Sequence, residues 1–247
     1  MLALSGKKFL ITGASSGIGA CLAHALAAQG CHLVLSGRNK ERLDAQVHML
    51  SDTHGITADI SKQEECERLL QESCSLLGPL DGMAHCAGIS LMQPMRFYNE
   101  AETIRVFESN LLSAFHLVSA FRKRGRHTQE SRLVMMSSVM AQHGVPSLAA
   151  YSASKAGLEG AVRAWAMELA RESICINALA PSYVLTPMFE NMSANFAPAT
   201  LAQLKTRHPF GFGRPEDVAH VAMFLLSPLS RWINGVVLPV DGGFHAG

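Results

Sequence analysis

The run YSASK, residues 151–155, sets a phenol and an ammonium four positions apart at the head of an alanine-rich stretch, AGLEGAVRAWAMELA. On a helix that spacing stacks the two side chains, with Cβ atoms about 5–6 Å apart. A free phenol has a pKa of about 10, so only about one in a thousand is ionised at neutral pH. A neighbouring ammonium favours the phenolate and would let Tyr151 move a proton near neutrality. A solvated helix face is the plainer reading of the same spacing. Two further polar residues can converge on this pair. Ser138 ends the apolar run RLVMMSS (132–138), and Asn110 lies inside a long helical pattern, where asparagine is a poor helix former.

A second stretch with chemical potential is TGASSGIG (12–19), between a strand-like run and a helical one. Gly13, Gly17 and Gly19 allow a tight turn and a close approach of backbone to a pyrophosphate, which the free N–H groups of a helix start attract. The loop residues Gly13, Ser15, Ser16, Gly17, Ile18 and Gly19 are therefore candidates for dinucleotide binding, although a glycine-rich turn can also bind nothing. Near the end of the next strand an acid marks NAD, whereas an arginine accommodates the 2′-phosphate of NADP. The chain reads LSGRNKER there, with Ser36 and Gly37 in place of an acid and then Arg38, so NADP(H) is expected over NAD(H). The alternative is a solvated Arg38 with Asn39 merely capping a helix. Asp59 and Ile60, closing the third strand, can meet an adenine, or Asp59 can cap the helix that follows.

The elements that must position these residues alternate. Strands are expected at 8–12, 32–36, 55–59, 80–88, 132–138, 174–181 and 235–243. Helices are expected at 17–29, 40–50, 62–77, about 101–123, the segment holding Tyr151 and Lys155, and 215–227. That pattern gives βαβ units: a single-domain α/β fold with a Rossmann-type, doubly wound parallel sheet of about seven strands and helices on both faces. One domain over 1–247 is expected, with its dinucleotide-binding part about 1–135 and its catalytic and lid part about 136–247. At 48% apolar and 17% charged residues, with a net charge of +1, the chain has a globular composition that points to neither nucleic acid nor a membrane surface. Its eleven histidines are scattered and its six cysteines form no CxxC, so no metal site or disulfide frame is expected. With no signal-like segment or long apolar run, a cytoplasmic protein is expected.

Taken together, TGASSGIG, Ala87-Gly88, Asn110, Ser138, YSASK, GRPEDVA (213–219) and VDGG (240–243) resemble the short-chain dehydrogenase/reductase family over essentially the whole chain. The thirteen-residue gap from Ser138 to Tyr151 matches too. The resemblance implies a catalytic set of Asn110, Ser138, Tyr151 and Lys155. Tyr151 exchanges a proton with the substrate oxygen, Ser138 holds that oxygen, and Lys155 binds the nicotinamide ribose. Asn110 supports a water leading from Lys155 to solvent. It also implies cofactor contacts at Cys86, Ala87, Gly88, Tyr151, Lys155, Pro181, Val184 and Thr186.

Two departures stand out: HCAG (85–88) where the family has Asn-Asn-Ala-Gly, and Ser182 in place of a glycine. Cys86 is expected to give up a strand-bridging bond. Substrate is expected near Ser138, Met140, Gln142, His143, Leu148, Tyr151, Tyr183, Met188 and a lid from Phe189 to about Phe212, largely apolar and suited to a hydrophobic ketone. The resemblance is greatest to 3-oxoacyl-[acyl-carrier-protein] reductases. An acyl carrier protein is thus a possible partner, docking on basic RKRGR (122–126) and Arg132. Other expectations left open are sugar, steroid-like or other secondary-alcohol substrates, or a non-catalytic dinucleotide-binding regulator. A homotetramer is expected through the helices bearing Asn110 and Tyr151, with Ala161, Ala164 and Trp165 at the contact.

Overall fold

The computed structural model describes residues 2–194 and 196–246. Met1, Asn195 and Gly247 lie outside the described residues, so the expected lid (189–212) is described on either side of Asn195. Strands β1 (Lys8–Thr12), β2 (His32–Gly37), β3 (Thr53–Thr57), β4 (Leu80–His85), β5 (His127–Met136), β6 (Ile174–Pro181) and β7 (Val237–Val240) form one parallel sheet in the order β3-β2-β1-β4-β5-β6-β7. Phe9, Leu10 and Ile11 of β1 are wholly buried in succession, as a strand covered on both faces requires.

The helices in chain order are α1 (Gly17–Ala27), α2 (Lys40–His48), α3 (Gln63–Leu77), α4 (Glu100–Phe107), α5 (Ser113–Phe121), α6 (Ala149–Leu169), α7 (Pro187–Ser193), α8 (Pro198–Thr206) and α9 (Pro215–Leu226). One core layer joins Leu22 and Leu26 of α1, Leu43 of α2 and Leu225 of α9 to the sheet. The opposite layer joins Leu69 of α3, Leu117 of α5 and Leu158 of α6. The strand order reverses between β1 and β4, and such a switch point opens a crevice at the strands' carboxyl ends.

Several elements differ from the sequence reading. β3 starts two residues early, at Thr53, and β5 five residues early, at His127. The long helix 100–121 is interrupted by a wider π turn, Glu108–Leu112, and Asn110 sits inside it. The patternless stretch after β6 holds α7 and α8, each with proline in its first turn, where a missing N–H costs nothing. No helix among the described residues is long and apolar enough to cross a membrane.

Candidate active site

At the switch point β1 runs into a turn at Gly13. Its φ is +68°, and a Cβ there would lie 2.6 Å from the Ala87 amide nitrogen. Only glycine lets the two turns close on each other in this way. Beside them opens a cavity of about 510 Å³. Gly13, Ser15, Ser16, Gly17, Ile18 and Gly19 form one wall, Arg38 another, and Asp59 with Ile60 a third. Cys86, Ala87 and Gly88 form the floor, and Thr186 closes the far end.

Arg42, Arg105 and Glu108 also line this cavity and were missed by the sequence reading. Arg42 had a signal: it stands four positions after Arg38, in a helix turn fixed by its own amide donating to Asn39 Oδ1 at 2.8 Å. The wall fits a dinucleotide. Ser36 Oγ is buried with no hydrogen-bond partner, and the free amides at the start of α1 suit a pyrophosphate. Asp59 does not cap α3, whose N-cap position is Lys62; it accepts from Ser61 N at 3.3 Å and Ser61 Oγ at 2.8 Å in the turn before it.

An adjoining cavity of about 130 Å³ brings together Ser138, Tyr151 and Lys155 with Met140, Leu148, Pro181, Tyr183, Val184 and Met188. The two cavities share Ile18, Cys86, Gly88 and Thr186. Lys155 Nζ donates to the Met136 carbonyl at the end of β5, 2.7 Å away, and lies 5.8 Å from the centre of the Tyr151 ring. A Cβ on Gly88 would come 3.1 Å from Asn110 Oδ1, so the glycine makes room for that amide beside Lys155. Burial pushes the ammonium down to about 8, which leaves it charged at neutral pH.

Tyr151 runs against expectation. Burial, foremost, raises the phenol above its ordinary value; the Ser138 hydroxyl lowers it and Tyr183 adds to the rise. Lys155 commits a bond to a carbonyl, and desolvation wins. Ser138 accepts from Met140 N at 3.2 Å and reaches Pro181 O only at 3.4 Å, a weak bond that a substrate oxygen can replace.

Asn110 is fully buried and braces the frame. Its amide accepts from Ile89 N at 2.8 Å and donates to Ile89 O at 2.9 Å and to Ser154 Oγ at 3.1 Å. Both side-chain N–H donors are therefore committed to protein.

The support expected to be lost at Cys86 is supplied by its neighbour. His85 is buried, bonded to Thr12 Oγ1 at 2.8 Å and Ser113 Oγ at 3.1 Å. Ser113 donates to Ser109 O at 2.7 Å, so His85 Nε2–H donates to Ser113 and Nδ1 accepts from Thr12. Burial, then the Lys155 charge, pushes this imidazole down to about 3. The Cys86 thiol is pushed up to about 12 by burial, which rules it out as a neutral-pH nucleophile.

His143 is not brought to the cavity: its Nε2 meets His245 Nδ1 at 2.9 Å, and its ring packs edge-on to Phe244. Gln142 instead donates to Glu159 at 3.1 Å.

Ser182 Oγ pairs with His208 Nε2 at 2.8 Å, while His208 Nδ1 donates to Leu204 O of α8 at 2.6 Å. The bond ties the cavity wall to the lid. Tyr183, Phe189 and Phe212 pack around that imidazole and one another, with Phe189 and Phe212 ring centres 5.0 Å apart. Beyond Met188 and Met192 lies an outer chamber of about 540 Å³, bounded by Gly88, Met92, Asn191 and Phe196, with no charged side chain among the described residues of its lining.

The basic cluster does not face this opening. It precedes β5, at the opposite end of that strand from Ser138, and pairing of β5 with Leu80–His85 across a bulge makes that length roughly 20 Å. Arg122 pairs with Glu172 and with Glu168, and Lys123 and Arg126 both pair with Glu67, at 2.9 and 2.5 Å. Arg132 is buried. Of the docking patch expected from sequence, Arg122, Lys123 and Arg126 are thus paired with acids, and the run lies at the far end of β5 from Ser138.

The comparisons agree with this geometry. The family model described as Enoyl-(Acyl carrier protein) reductase matches residues 13–245. The 3-oxoacyl-[acyl-carrier-protein] reductase FabG of Rickettsia felis is 32% identical, covering 98% of both chains. A hydroxynaphthalene reductase-like protein of Metarhizium anisopliae is also 32% identical, over 97% of this chain and 95% of its own. Among solved structures, a variant of actinorhodin polyketide ketoreductase with NADPH superposes with a TM-score of 0.90 at 28% identity, over 99% of each chain.

Proposed function

The chain belongs to the short-chain dehydrogenase/reductase family, and from that premise we propose that it reduces an uncharged, hydrophobic ketone to a secondary alcohol with NADPH, a 3-oxoacyl thioester being the first substrate to test. The observation that carries this is the composition of the inner cavity: Ser138, Tyr151 and Lys155 stand beside Met136, Met140, Leu148, Val184, Met188, Phe189 and Met192, and Lys155 is the only charged side chain among the described residues of the lining.

Bound NADPH supplies the hydride. Tyr151 gives its proton to the carbonyl oxygen, and a phenol held above its ordinary pKa is kept in the acid form that reduction needs. Ser138 orients that oxygen by hydrogen bond. Lys155, charged at neutral pH, stabilises the phenolate left behind and offers donors to a ribose. Arg38 and Arg42 grip a 2′-phosphate, and the loop from Gly13 to Gly19 takes the pyrophosphate. Asn110 keeps Ile89 and Ser154 in place around Lys155.

A bulkier aromatic ketone is the second reading, favoured by the apolar outer chamber and by the hydroxynaphthalene reductase-like and polyketide ketoreductase relatives. A carrier protein, if it is the donor of the acyl group, docks elsewhere than on residues 122–126. Exposed Leu112, Phe115 and Met167 on the outer helices support a homotetramer, which light scattering will measure. The deciding experiment follows NADPH oxidation over 3-oxoacyl thioesters, aromatic ketones and sugars. Turnover confined to sugars with NAD would end this reading.

A further inference from the structure

Glu159 is a carboxylate that the reaction above does not use. It lies on α6, one helical turn beyond Lys155 and two beyond Tyr151, and only 4% of its surface is exposed. Buried acids are costly unless each oxygen finds a donor. Here both do: Oε1 accepts from Ser137 Oγ at 2.8 Å and Oε2 from Gln142 Nε2 at 3.1 Å. Ser137 and Gln142 bracket Ser138 and the short turn Val139–Ala141.

We propose that Glu159 is a positioning residue that bolts the segment carrying Ser138 to the helix carrying Tyr151 and Lys155, fixing the oxygen-holding hydroxyl against the proton donor. The catalytic set comes from two elements, the end of β5 and the start of α6, which have no covalent reason to keep register. Lys155 ties them at one point, through the Met136 carbonyl. One contact leaves a rotation free. Glu159 adds two more, one on each side of Ser138, and three points define the orientation. Displacing a reacting group by about 1 Å can cost about a hundredfold in rate, so the bolt matters without touching substrate.

The inference rests on the assignment of Tyr151 as proton donor, and the test separates the two. Steady-state kinetics with NADPH and the best ketone from the screen compare the parent with Glu159→Leu, Glu159→Gln, Ser137→Ala and Tyr151→Phe. Glu159→Leu should lower kcat by about ten- to a hundredfold, with KM for NADPH within about twofold. Its kcat–pH profile should move to higher pH, because Ser138 is the group that lowers the Tyr151 pKa. Glu159→Gln should stay within about threefold of the parent, since its amide accepts from Ser137 while the Gln142 amide turns over to accept from it. If Glu159→Leu does not fold, Ser137→Ala carries the test, with the same displacement of the pH profile and a smaller fall in kcat. Unchanged kcat and pH profile in Glu159→Leu or Ser137→Ala, with only the melting temperature lowered, overturns the proposal. So does a Glu159→Gln variant as slow as Glu159→Leu. Undiminished turnover in Tyr151→Phe overturns the assignment beneath it instead.

Discussion

The cavity under the glycine loop and the cavity around Tyr151 share a floor at Cys86 and Gly88 but are built in opposite ways. The first is walled by backbone turns and by charged side chains, Arg38, Arg42, Asp59, Arg105 and Glu108. The second is walled by methionines, tyrosines and Phe189, with one buried ammonium. A polar wall built from turns depends on local chain geometry. An apolar wall depends on what distant segments pack against it, here a lid gathered around His208. The difference separates binding from chemistry. One cavity can hold a large charged molecule with little desolvation, while on the proposed reading the other would gain its effect from excluding water around Tyr151.

The largest expected effect tests the inner cavity alone. Tyr151→Phe should lower kcat by about a thousandfold while NADPH binding, followed by fluorescence, is retained. Comparable loss of both would erase the division of labour.

Acid stability comes next, through His85, which is buried directly before the shared floor at Cys86. Its imidazole has an ordinary pKa of 6.5 and a folded one of about 3. Above about pH 6.5 it is neutral in both states and contributes no slope. As the pH falls from there toward 3, the unfolded chain takes up a proton that the folded chain refuses. Stability is then lost progressively, by up to about 4 kcal/mol. Urea unfolding between pH 7 and 4 should show a shallower loss in His85→Asn than in the parent.

A smaller effect belongs to the outer wall. Arg38→Asp should raise KM for NADPH by about ten- to a hundredfold and leave kcat near the parental value. A fall in kcat instead would mean that the two cavities are not separable. The smallest sits on the lid. Ser182→Gly removes the bond to His208 and should raise KM for the ketone about fivefold, with the NADPH constant unmoved.

The same contrast explains what could be read beforehand. β1, β6 and α9 lie where alternation placed them, since glycine, proline and apolar runs act locally. The lining of the larger cavity was legible for the same reason, down to Arg38 and Asp59. Arg105 and Glu108 were not, because only the folded α4 and the π turn after it carry them over from another part of the chain. The misplaced expectations all concern tertiary partners. His143 turns to His245, more than a hundred residues further along the chain, the basic run 122–126 finds Glu67, Glu168 and Glu172, and the phenol answers to burial more than to its neighbour on the helix. The lid offered no periodicity, since α7 and α8 are too short to display one.

The π turn at Glu108–Leu112 has a consequence for length changes in this chain. One surplus residue rotates everything before it by about 100° relative to everything after it, as 3.6 residues complete a circle. That phase offset lets α4 show Arg105 to the cavity while α5 keeps Leu117 and Phe121 inside the core. Deleting any one residue between 108 and 112 would repair the helix and spoil the alignment, swinging one half or the other out of step. Here a regular spiral is the defect, and the irregular one is what the surrounding sheet demands.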